Sequence, residues 1–251
     1  MNDLRDRRRL PHIDVTAANL KWYGCVTMLF YSVSMSVIQN GMLHVDAYSN
    51  LELRELMAAD PDRMILSSWA AVFQLLGGLG IPVFAFALVE GFLHTKNYRN
   101  YLLRMIVFAA VSEIPFDFAM SGTAFDFARQ NMLVTLSVCL VMLYGLRLFA
   151  ASRGAQLLIV LASVLWCGLM RGQFGACMVL LAAVYYLLRH KPDVRLLLGG
   201  VISLMYVTGP ISGFVLKRYN GQPGKNDNKY VFYCLYPLHL LVLGVITCLM
   251  A

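Results

Sequence analysis

The chain has 251 residues, of which 59% are hydrophobic and 14% charged, and its mean hydropathy is +0.63. A soluble domain of this length is far more polar, and apolar runs of about 20 residues, enough to cross a bilayer, recur along the whole chain. The formal net charge of +7 comes from Lys and Arg in short loops. Because this is the orientation signal of membrane insertion, the expected partner is the lipid bilayer, and nucleic acid is excluded.

The apolar runs predict an all-α fold, a polytopic transmembrane helical bundle. Residues 1–20 are expected to form a basic cytoplasmic segment, and residues 21–251 a single transmembrane domain. At about 20 residues per crossing, we expect about eight spans, at 21–43, 72–93, 101–118, 131–150, 155–170, 174–189, 195–216 and 230–250.

Two connections depart from simple loops. The polar stretch 44–63 is expected at the membrane interface, and the apolar residues 64–71 after it can extend the second span as a longer helix bent at Pro82. The fifth and sixth spans are short and separated only by RGQF, which favours a tight hairpin or a partly re-entrant pair.

Basic loops indicate the orientation of the spans. RDRRR before the first span, KNYRNYLLR after the second and RHKPDVR after the sixth fall on one side, which predicts that both termini are cytoplasmic. The loop 217–229, KRYNGQPGKNDNK, falls on the opposite side although it carries four basic residues. Either the span count is off by one after residue 170, or this loop has a specific use. We favour the second interpretation.

The end of the second span carries a candidate catalytic pair, Glu90 and His94. Ionisable groups at bilayer depth are costly, so they usually face a protein interior or an aqueous cavity. The two side chains are four residues apart, so they share a helix face and can touch. A carboxylate that binds one imidazole nitrogen raises the basicity of the other, which suits a general base. The alternative is a pair of side chains at the headgroup level, with His94 as an interface anchor.

A second acidic pair, Glu113 and Asp117, flanks Pro115 in the third span. We expect the proline to disrupt the helix there, so that the two acids can bind a cation or an amine, or cap neighbouring helix N-termini. Gln130 and Asn131 are the expected hydrogen-bond partners of the acids. Alternatively, Asp117 lies in the outer interface and Asn131 is only the N-cap of the fourth span.

Two further regions carry candidate binding residues. Asn220-Gly221 and Pro223-Gly224 are turn signals, so the loop 217–229 can fold back and present Tyr219 and its basic neighbours to a phosphate or carboxylate. We favour the alternative, ordinary interfacial snorkelling by the basic residues. His239 near the start of the last span is a second candidate proton-transfer group or a packed structural histidine. No metal site is expected, because the cysteines lie singly in apolar runs.

Several stretches resemble the TraX family over nearly the full length of the chain: IPVFAFALVEGFLHTKNYRNYLLR, VSEIPFDFAM, QNMLVTL, RYNGQPG and KYVFYCLYPLHLL. The namesake of this family acetylates the N-terminus of the conjugative F-pilin, and similar proteins occur widely in bacteria. The resemblance therefore implies a conjugation-related, multi-pass protein of the bacterial inner membrane. It also implies an acetyltransferase that uses cytoplasmic acetyl-CoA as donor and an amine (a peptide N-terminus), a hydroxyl or a glycan as acceptor.

The resemblance also implies roles for individual residues. Glu90 would orient His94 as the base that deprotonates the acceptor. Basic residues would meet the phosphates of coenzyme A, namely Lys96, Arg99 and Arg104. The acceptor would be bound by Glu113, Asp117, Asn131, Tyr219, Asn220 and His239.

This chain departs from the family pattern at two places. Tyr31-Ser32 replaces an Asp-His pair, so that hydroxyls stand where a proton-transfer pair is expected. Arg171-Gly172-Gln173-Phe174-Gly175 replaces an acidic DYG-like turn. The alternative function is therefore a catalytically silent member that binds a partner or a small ligand in the membrane. A transporter is a third possibility, but the sequence has no inverted repeat of broken helices to favour it.

Overall fold

The computed structural model of the protein describes residues 14–224 and 229–250. The basic cluster RDRRR and part of the loop 217–229 fall outside these described residues. Within them, the chain forms helices and connecting loops, and β pairing is limited to two isolated bridges. The predicted all-α class is confirmed.

Several helices begin at side chains that satisfy their first backbone N–H groups. Thr16, Asn97, Asn131 and Ser152 each accept such hydrogen bonds as N-caps. The helices of the described residues are α1 Ala17–Val33, α2 Asn50–Ala59, α3 Pro61–Gly78, α4 Gly80–His94, α5 Tyr98–Ser121, α6 Met132–Leu148, α7 Arg153–Leu169, α8 Gly175–Leu187, α9 Pro192–Ser203, α10 Ser212–Lys217 and α11 Lys229–Met250. A π-helical segment, Ser34–Met42, continues α1, and short 3-10 turns occupy Val45–Ala47, Leu204–Tyr206 and Gly209–Ile211.

The first half of the fold is a long antiparallel pair. Helix α1 and its π-helical extension pack against α3 and α4, which together form a helical stretch of 34 residues with a break at Leu79. Gly77 lets the two backbones approach closely, because a Cβ there would lie 2.5 Å from the Cβ of Tyr31. Further along, the Ser34 hydroxyl donates to the Ala70 carbonyl at 2.7 Å. The predicted extension of the second span into a longer helix is confirmed.

The bundle has two chemically different ends. The basic end contains the start of α1 and the α4–α5, α6–α7 and α8–α9 turns, with Lys96, Arg99, Arg147, Arg153, Arg189 and Lys191. The acidic end contains α2 and the loop 122–131, and Arg129 of that loop contacts Asp46 at 3.7 Å.

The ends of the described chain lie at opposite ends of the bundle. Helix α11 runs parallel to α5, since Tyr233 stacks on Phe108 with ring centroids 5.0 Å apart and Gly244, further along α11, lies beside Phe118, further along α5. It also runs parallel to α1 and its extension, and near its end the Thr247 hydroxyl bonds Ser36 at 2.8 Å. Because α1 starts at the basic end, α11 finishes at the acidic end. This does not agree with the prediction that both termini share one side.

The predicted seventh span, 195–216, is wrong, because the chain turns back inside the bundle. Helix α9 enters from the basic end, the chain reverses between Leu204 and Ile211, and α10 returns to the basic end. The reversal is tight, since a Cβ on Gly209 would lie 2.6 Å from Ser203. The Thr208 hydroxyl bonds the Leu75 carbonyl, close to the break between α3 and α4.

The hairpin returns the loop after α10 to the basic end. There the Val15 N–H donates to the Arg218 carbonyl at 3.0 Å, and the Ala17 N–H donates to the Gln222 carbonyl at 2.8 Å. The described part of the loop 217–229 therefore lies beside the start of α1. This position agrees with the interpretation that the span count is off by one after residue 170.

The outer surface of the bundle is apolar. The leucines that α7 turns outward are between 54% and 72% exposed, where a soluble helix carries polar side chains: Leu157, Leu158, Leu161, Leu165 and Leu169. Among the described residues, Pro61–His94 and Tyr230–Met250 are long and apolar enough to cross a membrane by length and composition. The fold is therefore compatible with a membrane protein, and the count of about eight spans is not confirmed.

Candidate functional site

A cavity of about 640 Å³ occupies the half of the bundle nearer the basic end. Its wall is formed by α1, α4, α5, α6 and α11, and most of it is apolar. The lining side chains with polar or charged atoms include Lys21, Trp22, His94, Thr95, Tyr101, Arg104, Tyr233, Tyr236 and His239. Small-molecule sites enclose about 300–1,000 Å³ and combine apolar walls with a few placed polar groups, so this cavity has the size and lining of a ligand site.

The predicted catalytic pair lies at the mouth of this cavity. Nδ1 of His94 is 2.9 Å from the backbone carbonyl of Glu90 and 3.7 Å from its carboxylate. A carbonyl only accepts, so Nδ1 carries the proton and Nε2 of the neutral ring carries the lone pair. The His94 side chain lines the cavity and is 70% exposed, whereas Glu90 is 19% exposed and outside the lining. The backbone of Glu90 therefore orients the imidazole more directly than its carboxylate does.

Two cations line the same cavity. Arg104 of α5 is half-buried, and its Nε is buried without a hydrogen-bond partner among the described residues. The ammonium of Lys21 lies 5.5 Å from the centre of the Phe232 ring. The predicted coenzyme-binding residues Lys96 and Arg99 are exposed at the basic end and do not line the cavity. Lys21 was not among the predicted site residues, although it stands at the start of the stretch that resembles the family's first span.

The inner end of the cavity is closed by His239 of α11. Its Nδ1 is 3.0 Å from the Leu235 carbonyl, and its Nε2 is 3.2 Å from the hydroxyl of Ser32 on α1. The carbonyl fixes the proton on Nδ1, so the Ser32 hydroxyl donates to Nε2. The Tyr236 ring packs against the His239 ring, with centroids 5.5 Å apart, and the Tyr236 hydroxyl accepts from the Met132 N–H at 3.3 Å.

The second acidic pair is not part of the cavity lining. Helix α5 continues through Pro115, so the predicted helix break is wrong. Asn131 is fully buried, and its amide donates to the carboxylate of Glu113 and, at 2.9 Å, to the Ala109 carbonyl. Its oxygen caps α6. The Asp117 carboxylate accepts the Asp126 N–H at 2.9 Å and so anchors the loop 122–131.

Tyr219 and Asn220 lie in the loop beside the start of α1, outside the lining of the cavity. The Tyr219 ring packs edge-on against Phe86 with centroids 5.3 Å apart. The Asn220 side chain accepts the Gln222 N–H at 2.9 Å, and its own backbone N–H donates to Val15. The predicted turn in this loop is present, with Gly221 in the left-handed region at φ 75°.

The two departures from the family pattern meet at the acidic end. Tyr31 turns away from Ser32 and lines a small cavity of about 50 Å³ together with Arg129, Arg171 and Gln173. Tyr31 and the turn 171–175, which carry the two departures, are therefore neighbours in space. The buried Oε1 of Gln173 has no hydrogen-bond partner among the described residues.

In the described part of the chain, no group of three or more His, Cys, Asp and Glu side chains is arranged to hold a metal ion. The cavity instead brings together two imidazoles and two cations within an apolar wall. Such a set can bind an anionic group at the cations and move protons at the imidazoles.

Both a family model and a known protein are similar to this chain. The family model described as "TraX protein" matches residues 18–247. A protein named "Probable fimbrial assembly protein FimC, serogroup H1", from Dichelobacter nodosus, is 26% identical over 198 residues, which cover 68% of this chain and 80% of that protein. No solved structure matches the chain.

Proposed function

The chain belongs to the TraX family, and we propose that it is an integral membrane acetyltransferase that moves an acetyl group from acetyl-CoA to an amine or a hydroxyl. The family and the similarity to a protein named for fimbrial assembly support a pilin-related membrane protein. They favour the N-terminal amine of a peptide as acceptor.

The single observation that supports this proposal most is the convergence of His94, Lys21 and Arg104 on one cavity near the basic end. Because Lys and Arg are enriched on the cytoplasmic side of membrane proteins, we infer that the basic end faces the cytoplasm of the bacterial inner membrane. The hairpin of α9 and α10 strengthens this inference, since it moves the basic loop after α10 to the same end.

The donor can be bound by the residues of the mouth. Acetyl-CoA combines phosphates with a long, less polar arm that ends in a thioester. Lys21 and Arg104 can meet phosphate oxygens with charge-assisted hydrogen bonds. The apolar wall between them and His239 suits the arm, and it directs the thioester toward the inner end of the cavity.

The acceptor amine must lose a proton before it can react, since an α-amino group has a pKa of about 7.7–8.0 and is mostly charged at neutral pH. Nε2 of His94 carries a lone pair at the mouth and takes this proton. The high exposure of His94 lets the proton pass to water. The neutral amine then attacks the thioester carbonyl, the carbon–sulfur bond breaks, and the thiolate leaves with the second amine proton.

Purified protein in nanodiscs, incubated with labelled acetyl-CoA and a pilin N-terminal peptide, tests the proposal. His94→Ala should slow CoA release by about 10²–10⁴-fold, the usual contribution of a general base. Glu90→Gln should slow it by less than about tenfold, because the backbone carbonyl that orients His94 remains. His190→Ala, an exposed histidine at the basic end, is the matched control.

The replacement of the family's Asp-His pair by Tyr31-Ser32 favours one other function, a silent family member that binds a partner or ligand in the same cavity. Folded wild-type protein that releases no CoA but captures a pilin peptide in a pull-down would support this function and overturn the acetyltransferase.

A further inference from the structure

Ser32 and His239 form a hydrogen-bonded pair between helices that are far apart in sequence. Nε2 of His239 accepts from the Ser32 hydroxyl at 3.2 Å, and Nδ1–H donates to the Leu235 carbonyl at 3.0 Å. A serine whose hydroxyl faces the lone pair of a neighbouring imidazole, with the other ring nitrogen fixed by an acceptor, has the arrangement of an activated nucleophile.

We propose that Ser32 is an acyl-carrying nucleophile and that His239 is its general base. The proposal rests on the proposed acetyltransferase function. It replaces the direct attack of the amine on the thioester by two steps, an attack of Ser32 on the thioester and an attack of the amine on the resulting ester. His239 lines the cavity, and so do Met28 and Leu29, which lie one helical turn before Ser32 on α1. His239 therefore stands at the inner end of the cavity, toward which the thioester would be directed. Ser32 is fully buried outside the lining, and its hydroxyl is bonded to Nε2 of His239.

The two half-reactions balance at the atoms of this pair. In the first, the Ser32 oxygen attacks the thioester carbonyl and its proton moves to Nε2 of His239. The carbon–sulfur bond breaks, and the CoA thiolate takes that proton from Nε2, which leaves an acetyl ester on Ser32. In the second, the neutral acceptor amine attacks the ester carbonyl and gives a proton to Nε2. The carbon–oxygen bond breaks, and Ser32 recovers the proton.

Burial of the pair suits an ester intermediate. Ser32 is fully buried and His239 is half-buried, so bulk water has little access to an ester held there. Exclusion of water limits hydrolysis and strengthens the electrostatic interaction between the hydroxyl and the ring. In this scheme the two imidazoles transfer different protons. His94 removes a proton from the acceptor ammonium at the mouth, and His239 accepts and returns the proton that moves during acyl transfer.

A second hydroxyl contact between the same helical segments serves as a control for the bond between Ser32 and His239. Ser36 and Thr247 also join the α1 extension to α11, through hydroxyls 2.8 Å apart, and both are buried. This contact holds no imidazole and neither of its residues lines the cavity, whereas His239 does. If the bond between Ser32 and His239 only fastened the same helices together, its loss would resemble the loss of the Ser36 bond.

A fluorophosphonate probe, which labels serines activated by a histidine, tests the pair without acetyl-CoA. Wild type and Ser36→Ala should be labelled on Ser32, identified by peptide mass spectrometry. Ser32→Ala should lose the label, and His239→Gln should lower its rate by about 10²-fold or more. Labelling that is absent from wild type, or equal in His239→Gln, would overturn the proposal.

The intermediate itself is tested by intact-mass analysis after labelled acetyl-CoA is added without acceptor. Wild type should gain one acetyl group that hydroxylamine removes, and Ser32→Ala should gain none. If Ser32→Ala transfers acetyl groups as fast as wild type, the covalent step is wrong while the acetyltransferase function stands. If wild type neither labels nor transfers, both are wrong.

Discussion

The two halves of the bundle use similar residues for different purposes. Each carries a pair of ionisable residues four apart, Glu90 and His94 near the basic end, and Glu113 and Asp117 near the acidic end. The first pair borders a cavity and leaves a lone pair of its imidazole available. In the second, carboxylate oxygens accept hydrogen bonds from Asn131 and from a loop N–H. The same spacing therefore indicates chemistry only where an open cavity adjoins it.

The largest expected effect concerns the path of the chain. In a cysteine-free background, Asn220→Cys should react with an impermeant maleimide from the same side of the membrane as His190→Cys, and Thr123→Cys should react from the other side. This is an all-or-none difference, because α9 and α10 form a hairpin and do not cross the bundle. If Asn220→Cys instead behaves like Thr123→Cys, the hairpin is wrong and 195–216 is a span.

Arg104 offers the next test, at the basic half. Arg104→Gln removes the guanidinium from the cavity, so the KM for acetyl-CoA should rise by about 10–100-fold, the worth of a charge-assisted contact. Lys96→Gln should raise it by only about twofold to threefold, because exposed charges act weakly through solvent. Arg153→Gln at the start of α7 is the neutral control. Equal effects of Arg104→Gln and Lys96→Gln would place the phosphates outside the cavity.

Asn131 tests the acidic half. Asn131→Leu removes a helix cap and leaves the Glu113 carboxylate and the Ala109 carbonyl without a donor, which should cost about 2–4 kcal/mol of unfolding free energy in an SDS titration. Asn40→Leu, which loses a single bond to the Met120 carbonyl, should cost about 1 kcal/mol. The KM for the acceptor per folded molecule should stay within a factor of about three in both variants. If the KM for the acceptor rises in Asn131→Leu and not in Asn40→Leu, Asn131 takes part in acceptor binding.

The sequence predicts the helical class and most of the apolar helices, because apolar runs and charged turns are local signals. It fails at 195–216, where an apolar stretch of the length of a span conceals a reversal. Gly209-Pro210 was the local signal of that reversal, and the basic loop after it was the second. The sequence also cannot pair Ser32 with His239, since no local pattern joins residues 207 positions apart. The candidate site is thus half predictable. The pair at its mouth, Glu90 and His94, is close in sequence, whereas the pair at its inner end comes together only by tertiary packing.

The smallest expected effect is a pH dependence of α2, at the acidic end and outside the predicted spans. The Ser49 backbone N–H and hydroxyl both donate to the Glu52 carboxylate at 2.8 Å, and these bonds hold the pKa of Glu52 below its usual value of 4.5. A carboxyl whose pKa is lower in the folded state adds stability above its unfolded pKa, and this stability is lost as the pH falls through the folded pKa. Amide hydrogen exchange of α2 should therefore be unchanged between pH 8 and about pH 5 after correction for intrinsic rates, and it should quicken below about pH 4. Ser49→Ala should quicken exchange at neutral pH and remove most of the pH dependence. The amides of α6, capped by the neutral side chain of Asn131, should not follow the same curve, and a parallel change there would indicate global unfolding instead of fraying at this capping box.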